Sequence, residues 1–130
     1  MGIRARSGAK QEIWSGTISE RELAAYSWFV ANSSGKTQEV GKKKSNGFGL
    51  HDMSGNVWEW VEDCWHENYN GAPTDGRAWK EENGGQCGQR VIRGGSWLNS
   101  PVNLRSSLRG WDLAGTRDGD VGFRLAQDLN

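Results

Sequence analysis

The sequence holds only two prolines, two cysteines and two histidines, carries no net charge, and contains no long hydrophobic run. Each shortage excludes something. Sixteen Lys and Arg balance sixteen Asp and Glu, which removes the overall electrostatic footprint of a nucleic-acid or anionic-membrane binder. No apolar stretch approaches the ~18 residues that mark a membrane span, and no charged segment followed by an apolar one marks a secretion signal. Neither nucleic acid nor membrane is therefore expected as a partner, and the compartment is cytoplasmic by default. Two cysteines are too few for a Cys-only zinc site, and no Cys-x-x-Cys occurs. Cys64 and Cys87 lie 23 positions apart. A disulfide between them would contribute roughly 3 kcal/mol and would need an oxidising compartment; two free thiols are the alternative.

What is present is tryptophan and glycine, eight and 19 in 130 residues. Eight large rings argue against disorder. With only 35% apolar residues, the chain reads as one small domain, 1–130, of short strands, tight turns and an aromatic core. Charge is unevenly placed. Residues 1–47 carry eight Lys/Arg against four Asp/Glu, residues 48–89 two against eight, and residues 90–130 six against four. The acidic middle is either a solvated face or a site for a cation or a basic partner.

Ser19-Glu20-Arg21-Glu22 fits a capping box with Ser19 as N-cap, and Leu23, Tyr26 and Phe29 then follow on one helical face. The run Asn32-Ser33-Ser34-Gly35 predicts the helix end. Alternation predicts strands over 57–62, 90–93, 104–109 and 121–126. Between the first two, 66–89 reads as a long polar loop bracketed by the cysteines, and such loops are functional or stapled. Catalytic arrangements are weak. Cys64 and His66 share a strand face, and Gly47-Phe48-Gly49 lacks the third glycine and the strand–helix setting of a dinucleotide loop.

The densest signal is Asn46-Gly47-Phe48-Gly49-Leu50-His51-Asp52-Met53-Ser54-Gly55-Asn56-Val57-Trp58-Glu59-Trp60. Asp52 and Glu59 flank a tight turn whose glycine lets carbonyl oxygens point inward, and carboxylates with carbonyls are the oxygen set calcium takes. A plain Gly-Asn turn between strands, with two exposed acids, is the other reading. Together with Arg93-Gly94-Gly95-Ser96-Trp97, Arg105-Ser106-Ser107-Leu108-Arg109 and Gly122-Phe123-Arg124-Leu125-Ala126, this segment resembles the formylglycine-generating enzyme (sulfatase-modifying factor) family, in order and spacing. The stretch from Asp63-Cys64-Trp65-His66 to Cys87 resembles a bacterial branch.

The resemblance implies an α+β, C-type-lectin-like fold with little regular secondary structure, here corresponding to the C-terminal part of the family domain and joining its pattern near 4–8. It implies a structural calcium held by the side chains of Asp52 and Glu59 and the carbonyls of Gly55 and Val57, with a second site beginning at Asn32. It also implies exposure of surface that the first half of the domain would cover, and hence a homo-oligomer or a partner chain supplying that half. In oxidase members two cysteines after the Gly-Gly-Ser-aromatic motif bind Cu(I), for which thiolates are the preferred ligands. The corresponding positions here are Asn99 and Leu104, and 97–130 contains no cysteine, so copper is not expected. Two histidines cannot supply the three-histidine site of the iron-dependent relatives. The expectation is a non-catalytic binding or structural module. Its ligand face would comprise Trp97, Asn99, Asn103, Arg105, Arg109, Trp111 and Asp112, a recognition-type mixture. The alternative is a fragment of an oxidase or iron-dependent enzyme that works only with a partner chain.

Overall fold

The computed structural model describes residues 7–8 and 11–126. A sheet of four strands organises them: β1 Trp58–Trp65, β2 Gln86–Arg93, β3 Gly110–Leu113 and β4 Val121–Gly122. The order is β3-β2-β1-β4. β1 and β2 run antiparallel, with Trp60 opposite Ile92 and Trp65 opposite Gln86, and register shifts lie between Trp60 and Cys64 and between Cys64 and Trp65. β3 is antiparallel to β2, and β4 is parallel to β1, with Glu59 opposite Gly122. Most other residues lie in turns and irregular segments, as a Gly-rich, aliphatic-poor sequence requires.

The predicted helix shrinks to a 3-10 turn, Glu20–Glu22, followed by a single α-turn, α1, Leu23–Tyr26. Ser19 makes no side-chain cap. Thr17 takes its place: its hydroxyl receives the Ser19 N–H at 3.0 Å and donates to the Glu22 carboxylate at 2.8 Å. The chain leaves the helix at Ser27, which is extended at φ −137°, five residues before the run of turn formers. Leu23 and Phe29 nonetheless enter the core with Trp14 and Leu104.

Two strand expectations fail on the same physical point. Residues 104–109 alternate in polarity, but 101–104 form a 3-10 turn and β3 starts only at Gly110. Leu104 and Ser106 are buried because the turn inserts them, and the Ser106 N–H bonds to Ile13 O at 2.8 Å. At the C-terminal end only Val121 and Gly122 pair, and Phe123 and Leu125 stand 72% and 89% exposed. Alternation predicts a face; it does not supply a partner for that face.

The tryptophans do not form one aromatic core: Trp14 and Trp79 are buried, whereas Trp111 is about half exposed. Small hydroxyls and amides fill much of the interior. Ser27, Ser33, Ser54 and Ser96 are wholly buried. Ser54 accepts the Ser15 N–H at 3.1 Å and donates to Leu104 O at 2.9 Å, and Ser33 donates to Trp97 O at 2.8 Å. Buried polar groups need such partners, and here they cross-link segments that share no regular element. Cys64 and Cys87 form a disulfide with their Cα atoms 4.5 Å apart, tying the irregular end of β1 to β2. No helix among the described residues is long and apolar enough to cross a membrane.

Candidate functional site

The 52–59 segment turns into the start of β1 and is locked by distant segments. Gly55 has φ +84°, and a Cβ there would lie 2.3 Å from Trp28 O, so only glycine fits. Its N–H donates to Gly94 O at 2.8 Å. Asn56, also left-handed at φ 66°, joins three segments. Its N–H donates to Trp28 O, its carbonyl accepts from the Trp97 N–H, and its amide exchanges two hydrogen bonds with the Gln38 backbone. The Asn-Val-Trp-Glu segment and the Gly-Gly-Ser-Trp segment, 38 residues away, are therefore one structural unit.

Glu59, 6% exposed, is where the calcium expectation meets the geometry. Both its oxygens accept from Arg124: Nε reaches Oε2 at 2.7 Å and Nη2 reaches Oε1. That pairing raises the Arg124 pKa above its ordinary value, chiefly through the hydrogen bond to Glu59. Asp52 accepts the Gly41 N–H on Oδ2 at 2.8 Å, while its buried Oδ1 receives no hydrogen bond. Calcium takes six to eight oxygens. With Glu59 engaged by a guanidinium, the set Asp52, Gly55, Val57 and Glu59 does not fit a calcium ion in this arrangement. Among the described residues no group of three or more His, Cys, Asp or Glu could hold a metal. Asn32, the expected start of a second site, spends its amide on a local turn, accepting from Phe29 N–H and donating to Ser27 O, both at 2.9 Å.

The residues expected to form one ligand face fall into two groups. The 96–105 loop satisfies itself. Asn99 Oδ1 accepts from the Ser96 N–H and hydroxyl, Asn103 Oδ1 accepts from the Ser100 hydroxyl, and Arg105 Nε donates to Val102 O. Trp97 is partly buried over Gly119, and Leu104 is core. Arg105 also walls a separate apolar groove with Ile13, Trp14 and Val102.

Arg109 and Trp111 stand elsewhere, on the sheet beside Trp65. The Arg109 guanidinium is sandwiched between the Trp65 and Tyr69 rings, 4.6 and 4.4 Å from their centroids, and donates to His66 O. Trp111 packs tilted on Trp65 at 6.4 Å. Asp112 turns from this face to cap its own turn, accepting from Thr116 Oγ1 at 2.8 Å.

Past His66 the same surface leads into a polar cavity of about 270 Å³ lined by Asn68, Asn70, Trp79, Asn83 and Gln86. His66 stacks on Trp79 with centroids 3.5 Å apart, its ring nitrogens against Cys64 O and Glu82 O. The Trp79 indole N–H is buried without an acceptor. Sequence reasoning missed Trp65, Tyr69 and this cavity. The aromatic-rich run on either side of His66, inside a cysteine-bracketed loop, was the available signal. Cys64 is in the disulfide, so it has no thiolate to form a Cys–His pair.

A family model of the sulfatase-modifying factor enzyme 1-like domain matches residues 3–129. The chain belongs to this family. It is 30% identical to the serine/threonine-protein kinase Pkn1 of Chlamydia trachomatis, over 86% of this chain and 22% of the kinase. It is 36% identical to the formylglycine-generating enzyme of Streptomyces coelicolor, over 72% of this chain and 30% of the enzyme. Among solved structures it is similar to PvdO from Pseudomonas aeruginosa, with a TM-score of 0.80, 39% identity, and coverage of 94% of this chain and 47% of PvdO. It is also similar to Treponema denticola variable protein 1, with a TM-score of 0.75, 38% identity, and coverage of 92% and 42%. The chain thus spans less than a third of those two curated relatives and under half of either structure. This family member shares the curled, sparsely regular sheet of its structural neighbours.

Proposed function

We propose that this chain is a non-catalytic recognition module of the sulfatase-modifying factor family, binding a hydroxyl-rich ligand such as a saccharide. The observation that carries this reading is the open aromatic–arginine face of Trp65, Tyr69, Arg109 and Trp111, continuous through His66 with an amide-lined cavity. Exposed rings accept the CH faces of a sugar, and side-chain amides pair with its hydroxyls.

The chemistry of the donor set supports the non-catalytic half. Both cysteines are consumed in a disulfide, and Asn99 and Leu104 stand at the copper positions implied by the resemblance. Neither residue is a soft ligand. His51 and His66 face backbone carbonyls in separate places. A match to a fifth of a protein kinase suits a module joined to varied partners.

A labelled sample applied to a glycan array and a peptide array tests the reading. Binding to glycans above background, lost in a Trp111→Ala/Tyr69→Ala variant, is expected. Peptide-only binding would move the assignment to another ligand class, and no binding on either array would end it. Formylglycine production by the chain alone on a Cys-containing sulfatase peptide would overturn the non-catalytic reading.

A second reading concerns partners, and coverage favours it. The chain aligns over nearly all its own length to under half of two structures, and it exposes Ile13 and Val102 in the apolar groove. Apolar surface of this kind is an association surface. A homo-oligomer, or a polypeptide corresponding to the other half of the domain, would cover it. Light scattering at micromolar concentration that gave 14.4 kDa would exclude the homo-oligomer.

A further inference from the structure

We infer that the Arg124 guanidinium is the resident counter-charge of Glu59 in the 51–59 turn and holds that carboxylate against the calcium that the family resemblance implies there. The inference is independent of the recognition reading. It rests on one side chain making four charge-assisted hydrogen bonds into the turn. Nε and Nη2 form a fork on the two oxygens of Glu59; Nη1 donates to His51 O at 3.1 Å, and Nη2 also donates to Asp52 O at 3.0 Å. Guanidinium supplies five N–H donors in a planar fork that matches a carboxylate and adjacent carbonyls. It therefore does with directional bonds what a metal does with coordination: it neutralises a buried carboxylate and draws carbonyl oxygens inward.

Charge accounting supports the substitution. Glu59 is almost fully buried, and a buried carboxylate needs a paired charge. Arg124 supplies it and also faces the negative charge of Asp52, whose field contributes to holding the guanidinium protonated. A calcium ion drawing on Glu59 would sit within a few ångströms of that guanidinium, where like charges repel. Without Glu59, the one carboxylate of the implied set left to it is Asp52, whose Oδ1 is buried without a hydrogen bond.

The chain's topology makes the placement stable. β4 runs parallel to β1 with Glu59 opposite Gly122, where the pairing ends, and the Arg124 side chain, two residues on, reaches back to Glu59 and to the carbonyls of His51 and Asp52. Its neighbours Phe123 and Leu125 are largely exposed and contribute little burial. Arg124 is the tie that holds 123–126 across the turn, and the last segment of the domain becomes a strap over it.

Thermal melting of the whole chain in chelator, in calcium and in magnesium tests the inference, with calorimetric titration of calcium into the wild type. The expected result is a wild-type Tm that is the same in chelator and in calcium, with no saturable calcium heat. Arg124→Gln and Glu59→Gln should each lower Tm by at least ~5 °C, and the double variant should melt no lower than the worse single. A saturable, calcium-specific rise in wild-type Tm would overturn the inference, as would an Arg124→Gln variant that melts like the wild type. If either variant fails to fold, the wild-type titration decides alone.

Discussion

The two ends of β1 are fixed in opposite ways. Before it, the 52–59 turn is buried and threaded by Trp28, Gln38, Gly94, Trp97 and Arg124, all distant in sequence, through backbone hydrogen bonds and one ion pair. Beyond it, 66–85 is a largely exposed excursion held to the sheet by the disulfide at its base, by Trp79, whose N–H donates to Asp63 Oδ1 and whose carbonyl accepts from the Cys64 N–H, and by the Lys80–Glu62 ion pair. The first region is rigid because its bonds are redundant; losing one leaves several. The second is held by few bonds, so its side chains remain free to meet something else. Rigid scaffold at one end and presented polar surface at the other is the division of labour that recognition loops use.

Perturbing each end separately sharpens this contrast. Gly55→Ala should have the largest effect, because a Cβ would collide with Trp28 O and the residue sits at positive φ. Loss of more than ~4 kcal/mol, enough to unfold a marginal domain, should appear as an absent cooperative melt. Reducing the disulfide, or Cys64→Ser/Cys87→Ser, should cost about 3 kcal/mol. Native-state hydrogen exchange should show the cost concentrated beyond β1, leaving the Gly55 and Asn56 amides protected; equal deprotection at both ends would erase the distinction. Ser54→Ala should cost about 1–3 kcal/mol, since it leaves the Ser15 N–H and Leu104 O unpartnered in the interior, and urea unfolding reads it directly. Asn83→Ala, whose amide donates to Gly71 O at the surface, should change stability by less than ~0.5 kcal/mol while weakening any glycan found on the array.

The sequence motifs were strong where one residue type was forced by backbone geometry. Gly55 and the Asn56 amide make the turn readable as a turn, and the Gly-Gly-Ser-Trp spacing made the family readable as a family. Alternation was weak, because 104–109 and 123–126 share the polarity pattern of strands but lack the hydrogen-bonding neighbours that would make them so. The family resemblance and a recognition-type composition group Trp97, Asn99, Asn103 and Arg105 with Arg109 and Trp111 on one ligand face. The turn at 105–108 separates them in space, and the 96–105 loop consumes its own polar groups.

Composition and motif order by themselves determined a chain of short strands and turns, of the sulfatase-modifying factor family, without a cysteine pair after the Gly-Gly-Ser-Trp motif. Those properties follow from residue counts, local backbone needs and ordered spacing, all of which are linear. Only the tertiary structure decided that Cys64 pairs with Cys87, that Trp65 and Tyr69 clamp Arg109, and that Glu59 belongs to Arg124. Each of these joins partners 23 to 65 residues apart through a sheet register, and register is set by the simultaneous packing of segments that no local pattern encodes.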